Sequence, residues 1–278
     1  MAFYLLGGRG RLGRALKSEY ANSELISLDR PIYEDWSREG SSDKVSRYLE
    51  GNVDEKSTVF VASGLLDPSM SEEELFQVNY TLPKNMIDAA SKFDIEVITF
   101  GTVMEGLIQS KNPYVRSKTA LNNYVEMMAS GQRSIKHIQL HTHYGIGFPN
   151  SFMFLGQMLH AIKSNLPFRM TSGRQLREYH HLEDEVTAIR MIAESSIFGV
   201  INLSHGEPVS LREIAENVFN ALNKTYLLHL EALPEPTEEN YDQIFQMNEV
   251  IHGAHFREAL PNINAYIKNC YASYNKES

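Results

Sequence analysis

The chain has 278 residues, 42% of them hydrophobic, and a formal net charge of -9. Its apolar content suffices for a substantial core, in one large α/β unit or two closely joined domains, and excludes general disorder. The acidic balance excludes general attraction to nucleic acid or anionic membrane, yet leaves room for a local phosphate pocket, because Arg9, Arg11, Arg14 and Lys17 crowd one short segment. Cys270 is the only cysteine, so no internal disulfide is expected and a reducing compartment fits. No Cys/His cluster has the spacing of a structural zinc site, and no metal is expected. No stretch approaches the ~18 apolar residues of a membrane span and no basic leader precedes Ala2, so a cytoplasmic, full-length protein is expected.

Ala2 to Leu6 reads as a short buried strand. It runs into Gly7-Gly8-Arg9-Gly10-Arg11-Leu12-Gly13 and then a helix-like stretch from Arg14 to Tyr20. Further apolar runs follow at Glu24 to Leu28, Thr58 to Ala62, Glu96 to Phe100 and His137 to His141, each separated by enough chain for a crossover helix. This alternation predicts an α/β fold with a Rossmann-type, doubly wound parallel sheet. Ser71 with Glu74, and Ser210 with Glu213, have the spacing of capping boxes that start helices. Beyond about residue 145 the prolines at 149, 167, 208, 234, 236 and 261 break the pattern. The expected division is a sheet domain over 1–145 and a smaller C-terminal lobe over 146–278, with some segments returning to the sheet.

Gly7, Gly10 and Gly13 lie where a strand hands over to a helix, so backbone amides can approach a pyrophosphate and the helix N-terminus can face its charge. Arg9, Arg11 and Leu12 belong to the same turn. Asp29 ends the next apolar run, where a carboxylate can accept hydrogen bonds from an adenosine ribose. Three spaced glycines alone signify a tight turn; the acid on the following strand gives them weight as a dinucleotide site. Asp29 would repel a 2′-phosphate, whereas Arg30, Arg9 and Arg11 would pair with one, or else simply form a solvated helix start. The expected cofactor is therefore NAD(P)(H), with NAD and NADP both open.

Tyr114 and Lys118 stand four residues apart, on one face of a helix. A phenol with a pKa of about 10 exchanges protons poorly at neutral pH, and a neighbouring ammonium favours its ionised form. Lys118 can also hold ribose hydroxyls. Tyr80 and Lys84 repeat the spacing around Pro83 and read as structural. Thr102, shortly after the Glu96 to Phe100 run, can aim a hydroxyl at a substrate carbonyl, which makes Thr102, Tyr114 and Lys118 the candidate catalytic set.

On these residues the chain resembles the extended short-chain dehydrogenases/reductases, the NAD-dependent epimerase/dehydratase family, and in particular its nucleotide-sugar members. Further support comes from Val78-Asn79-Tyr80-Thr81, Tyr144-Gly145-Ile146-Gly147, the segment Arg177 to Asp184, and Asn202 to Ser210. The resemblance implies that residues 1–145 bind NAD(P) and that the lobe binds substrate. It places Ala62 and Asn79 near the cofactor and Thr142, Asn150 and Arg177 toward a sugar nucleotide, Arg177 as a phosphate clamp. Asn79 has the alternative of bracing a helix, Arg177 of pairing with Glu183 or Asp184, and His180 and His181 read as packing residues. Relatives commonly dimerise through two helices per subunit, so a homodimer is expected, with a nucleotide-sugar substrate and neither nucleic acid nor membrane as partner.

Dehydratases of this kind follow the active threonine with an acid pair. Here Val103 and Met104 stand there and cannot move protons. Reduction of a keto group, at C4, on a nucleoside-diphosphate 6-deoxysugar is the leading expectation, with Tyr114 as proton donor and Thr102 polarising the carbonyl. A C4 epimerase is the near alternative and a non-catalytic NAD(P)-sensing regulator the remote one. Surface-polysaccharide precursor synthesis is the setting the resemblance implies.

Overall fold

The computed structural model describes residues 2–107, 110–129 and 134–274. The chain divides into two compact units, the first from residues 1–140, 186–203 and 249–252 and the second from 141–185, 204–248 and 253–278.

The first unit is built on six strands: β1 (Phe3–Leu6), β2 (Leu25–Ser27), β3 (Thr58–Val61), β4 (Glu96–Thr102), β5 (Ile135–Leu140) and a sixth, Gly199–Asn202. Their spatial order is sixth, β5, β4, β3, β1, β2, and every neighbouring pair is parallel. Parallel sheets are covered on both faces, so their strands read as unbroken apolar runs; all four residues of β3 are buried. That is why five strands coincide with the apolar runs of the sequence.

Two details differ from the sequence reading, each for a physical reason. β5 starts at Ile135 because Lys136, which interrupts the apolar pattern, is fully buried and satisfied there. Its ammonium pairs with Glu96 Oε2 at 2.9 Å and donates to the carbonyls of Ala193 (2.7 Å) and Ser195 (2.9 Å). A buried charge is tolerated when paired and hydrogen-bonded in this way. The sixth strand alternates buried and half-buried residues at the sheet's edge, so it lacks the apolar run that marks the others.

The first helix, α1 (Arg11–Glu19), begins inside the glycine turn, with Gly10 at its N-cap. Against the sheet pack the helices Ser42–Asn52, Leu82–Ala90 and Pro113–Ala129, burying Val45, Leu49, Met86, Ile87, Leu121 and Val125 in one core with Leu6 and Val61. Each such side chain contributes roughly 1.5–3 kcal/mol by leaving water.

The second unit gathers the helices Phe154–Ser164, Leu211–Ala221 and Ala259–Tyr274 around Met158, Ile162, Phe168, Phe219, Ile263 and Ile267. Short strand pairs edge it, among them Thr142–Tyr144 parallel to Tyr179–His181. Both capping boxes are present: the serine hydroxyls of Ser71 and Ser210 accept from the amides of Glu74 and Glu213, whose carboxylates accept from the serine amides. Among the described residues no helix is long and apolar enough to cross a membrane.

Candidate active site

In doubly wound sheets the ligand crevice opens beyond the carboxyl ends of the strands, where the chain leaves one strand toward both sides. Here that point lies between β1, which neighbours β2, and β3 on its other side. A cavity of about 460 Å³ sits there, its lining including Gly7, Arg9, Gly10, Arg30, Tyr33 and Ala62. Its volume lies within the range of small-molecule sites.

The glycines are sterically required. Gly7 has φ +87°, and a Cβ on it would come within 2.5 Å of the Ala62 carbonyl carbon and the Ser63 nitrogen. A Cβ on Gly13 would lie 2.2 Å from the Gly7 oxygen. α1 therefore packs directly on the end of β1. Its N-cap offers no side-chain hydrogen bond and its first turn holds no acid, so its leading amides and the positive end of its dipole remain available to an anion. The buried Nε and an NH2 of Arg11 have no hydrogen-bond partner. A permanently charged guanidinium with buried, unmatched donors fits a phosphate. The cradle thus suits a dinucleotide pyrophosphate.

The other residues of this set differ in role. Leu12 is half-buried in the first turn of α1. Ala62 follows β3 and lines the cavity. Arg30 lines it too, whereas Asp29 is an exposed N-cap of the helix Arg30–Tyr33 and lies outside that lining. Asn79 is fully buried in a π-helical turn, Gln77–Thr81. Its amide nitrogen donates to Leu65 O (2.9 Å) and Ser117 Oγ (3.1 Å), and its oxygen accepts from Leu65 N at 2.8 Å. These bonds tie the loop after β3 to the helix that carries Tyr114.

Thr102 is the last residue of β4, and Tyr114 and Lys118 lie in the helix Pro113–Ala129, where Asn112 Oδ1 accepts the Tyr114 amide at 2.9 Å. Lys118 is buried and donates to Phe100 O at 2.7 Å, which fixes that helix to the end of β4. Gly64, part of the cavity lining, is near enough that a Cβ on it would sit 3.8 Å from Lys118 Nζ. Burial holds the Lys118 ammonium down to about 8, against the upward pull of the Glu105 carboxylate. Burial pushes the Tyr114 phenol well above its ordinary value, and Glu105 adds to the push. Tyr114 consequently stands as a protonated acid at neutral pH.

Glu105 is the residue that sequence reasoning missed. Its side chain is fully buried. Oε1 accepts the Thr102 amide at 2.8 Å, while Oε2 lies 3.1 Å from His137 Nε2 and 3.4 Å from Gln139 Nε2. His137 in turn meets Thr99 Oγ1 at 2.8 Å. Gly101 makes room for this: a Cβ there would fall 2.3 Å from His137 Nε2 and 2.5 Å from Glu105 Oε1. A glycine just before Thr102 was the available signal. The second tyrosine–lysine pair has a structural use, because Lys84 pairs with Asp88 at 2.7 Å and the Tyr80 ring packs edge-on against Tyr124.

Of the residues expected to face substrate, Thr142 begins the strand Thr142–Tyr144 and donates its amide to Glu178 O at 3.1 Å. Asn150 is half-buried and its carbonyl accepts the Met153 amide at 3.0 Å. Arg177 is mostly buried and pairs with Glu239. The acids suggested for it by the sequence belong instead to Arg257, which holds Glu183 at 2.7 Å and Asp184 at 3.3 Å.

Residues 3–204 match the model of the NAD dependent epimerase/dehydratase family. Among solved structures, the chain is similar to a UDP-glucose 4-epimerase of Thermotoga maritima determined with UDP-glucose, at 14% identity and a TM-score of 0.78, covering 99% of each chain. It is similar to RMD of Pseudomonas aeruginosa complexed with NADPH, at 15% identity and a TM-score of 0.75, covering 98% of this chain and 100% of that one. DesIV of Streptomyces venezuelae, a dTDP-glucose 4,6-dehydratase solved with NAD, aligns at 15% identity and a TM-score of 0.74, covering 96% of each chain. At such identities the likeness speaks for the fold.

Proposed function

The chain belongs to the NAD dependent epimerase/dehydratase family, and from that premise we propose that it reduces a keto group, at C4, of a nucleoside-diphosphate 6-deoxysugar with NAD(P)H. The glycine cradle and the unmatched Arg11 guanidinium hold the dinucleotide pyrophosphate, and the nicotinamide, when bound, supplies the hydride. Thr102 donates a hydrogen bond to the carbonyl oxygen. Tyr114, kept protonated by its buried setting, delivers the proton that the new alkoxide needs, and Lys118 steadies the phenolate left behind. Arg177 exchanges Glu239 for a substrate phosphate. The working molecule is taken as a cytoplasmic homodimer.

One observation carries the choice of reaction. Elimination of water needs a free carboxyl beside the active threonine. Val103 and Met104 offer none, and both oxygens of Glu105, the one acid in that turn, are committed to Thr102, His137 and Gln139. A hydroxyl, a phenol and an ammonium remain, the set a reduction uses and a C4 epimerase shares.

The test is oxidation of NADH and NADPH, followed by absorbance, against a panel of nucleotide-linked 4-keto sugars. One dinucleotide oxidised per sugar converted is the expected result. Interconversion of 4-epimers without net oxidation would replace the reductase by an epimerase. An inert panel, with cofactor bound, would favour a sensing role.

A further inference from the structure

A group of ionisable side chains that the reduction does not use converges inside the second unit. Glu178 and His180 are two residues apart, His180 within the strand Tyr179–His181, and strand alternation turns both to one side. His205 comes from the loop after the sixth strand. Each of the three brings one ligand-type atom to within 4.8 Å of the others. Glu178 and His180 are buried, and the His205 side chain is only 8% exposed.

The Glu178–His180 spacing suits a cation better than it suits a hydrogen bond, and His205 would need to close by a few tenths of an ångström to join it. Glu178 Oε2 lies 3.4 Å from His180 Nε2 and 3.9 Å from His205 Nδ1. A good charge-assisted hydrogen bond is ~2.7–2.9 Å. Nitrogen and oxygen ligands held tetrahedrally at ~2.0–2.2 Å from a zinc-class ion stand roughly 3.3–3.6 Å from one another. His205 Nδ1 already accepts the Glu207 amide at 3.1 Å, and Nε2 is buried with no hydrogen-bond partner. The ligating nitrogen is Nδ1, the one that faces Glu178, so metal binding replaces its Glu207 amide bond.

The surroundings are those of an orienting shell. Ser204 Oγ donates to Glu178 Oε1 at 2.7 Å, and the His205 amide donates to Oε2 at 2.9 Å. Behind His180, Nδ1 faces Glu185 Oε1 at 3.5 Å, the arrangement in which a carboxylate orients a metal-bound imidazole. Glu185 is buried between two imidazoles, Oε2 lying 3.4 Å from His143 Nδ1 and Oε1 3.5 Å from His180 Nδ1, both longer than a good charge-assisted hydrogen bond. Ring packing of His180 on His141 and Phe256 accounts for a buried imidazole. It does not account for two buried carboxylates beside it.

We propose that Glu178, His180 and His205, with a water as fourth ligand, hold one divalent ion of the zinc class, which pins the loop at 204–207 to the strand Tyr179–His181. The mixed nitrogen and oxygen donors favour zinc over calcium or magnesium, which prefer oxygen alone.

The test is a Zn²⁺ titration by calorimetry of the full-length, tag-free chain after chelator dialysis, with metal content measured by mass spectrometry. One Zn²⁺ per chain is expected. His205→Asn and Glu178→Gln should weaken binding by at least ~100-fold, and Glu185→Gln by ~10–100-fold. His229→Asn, at an exposed histidine, should bind as the wild type does. Absence of a stoichiometric site in the wild type, or a site that survives His205→Asn, overturns the proposal. If the variants do not fold, Co²⁺ bound to the wild type decides: a four-coordinate visible spectrum supports the site, and a weak six-coordinate one refutes it.

Discussion

Tyr114 and Lys118 were legible as a pair, because four-residue spacing on a helix is a local property. Their electrostatics were not. The sequence suggested an ammonium that ionises the phenol, whereas burial pushes the phenol up and the ammonium down, and Glu105, which no local pattern marks, acts on both. Replacing Tyr114 by Phe should leave cofactor binding intact and lower kcat by ~10²–10⁴-fold, the usual worth of a positioned acid; retained turnover would remove Tyr114 from that role. For Lys118, a fall from 10.5 to about 8 means that the folded chain carries a disfavoured charge below pH 8. Between pH 8 and 10.5 the folded state releases that proton while the unfolded state keeps it, so stability rises with pH across this window. Lys118→Met should accordingly stabilise the cofactor-free chain at pH 7 by up to about 3 kcal/mol. The gain should shrink above pH 8, as chemical denaturation at several pH values will show. In the wild type, kcat/KM for NAD(P)H should fall as pH rises through about 8.

At the level of elements, the glycine turn shows why position within a motif matters. A Cβ at Gly13 would strike the backbone of Gly7 at 2.2 Å and of Gly8 at 2.8 Å, and neither can step aside. At Gly10 the nearest atom would be 3.4 Å away, an ordinary contact. Gly13→Ala should therefore cost ~1–3 kcal/mol of stability through overpacking. Gly10→Ala should leave the melting temperature nearly unchanged yet weaken NAD(P)H binding by an order of magnitude or more, since Gly10 lines the cavity proposed for the dinucleotide. Equal loss of stability in both variants would contradict this division. Strands and caps were legible for the same reason as the turn: they depend on runs and spacings a few residues long. Lys136 and the strand Gly199–Asn202 were not, because one hides a charge satisfied by partners 40 to 59 residues away and the other is an edge strand without an apolar run.

Over the whole molecule, legibility fails wherever residues from distant stretches meet. Glu105 with His137, and Glu178 with His205, are separated by 32 and 27 residues, and spacing rules cannot see such groups. The same dispersion shapes the chain's cooperativity. Each compact unit is assembled from three separate segments, so neither exists as a continuous stretch. A fragment of residues 1–140 keeps β1 to β5 but loses the strand Gly199–Asn202 that pairs with β5 in register from Lys136 to Gln139. It also loses the carbonyls of Ala193 and Ser195 that satisfy the buried Lys136 ammonium. An open β5 edge invites pairing with another chain, and a buried ammonium left with Glu96 alone after losing both carbonyls is destabilised. The fragment should aggregate on purification, whereas residues 1–203, which restore the strand and both carbonyls, should stay soluble longer and keep more parallel-sheet signal by circular dichroism. A soluble, cooperatively unfolding 1–140 fragment would show that the first five strands suffice without the returning segment.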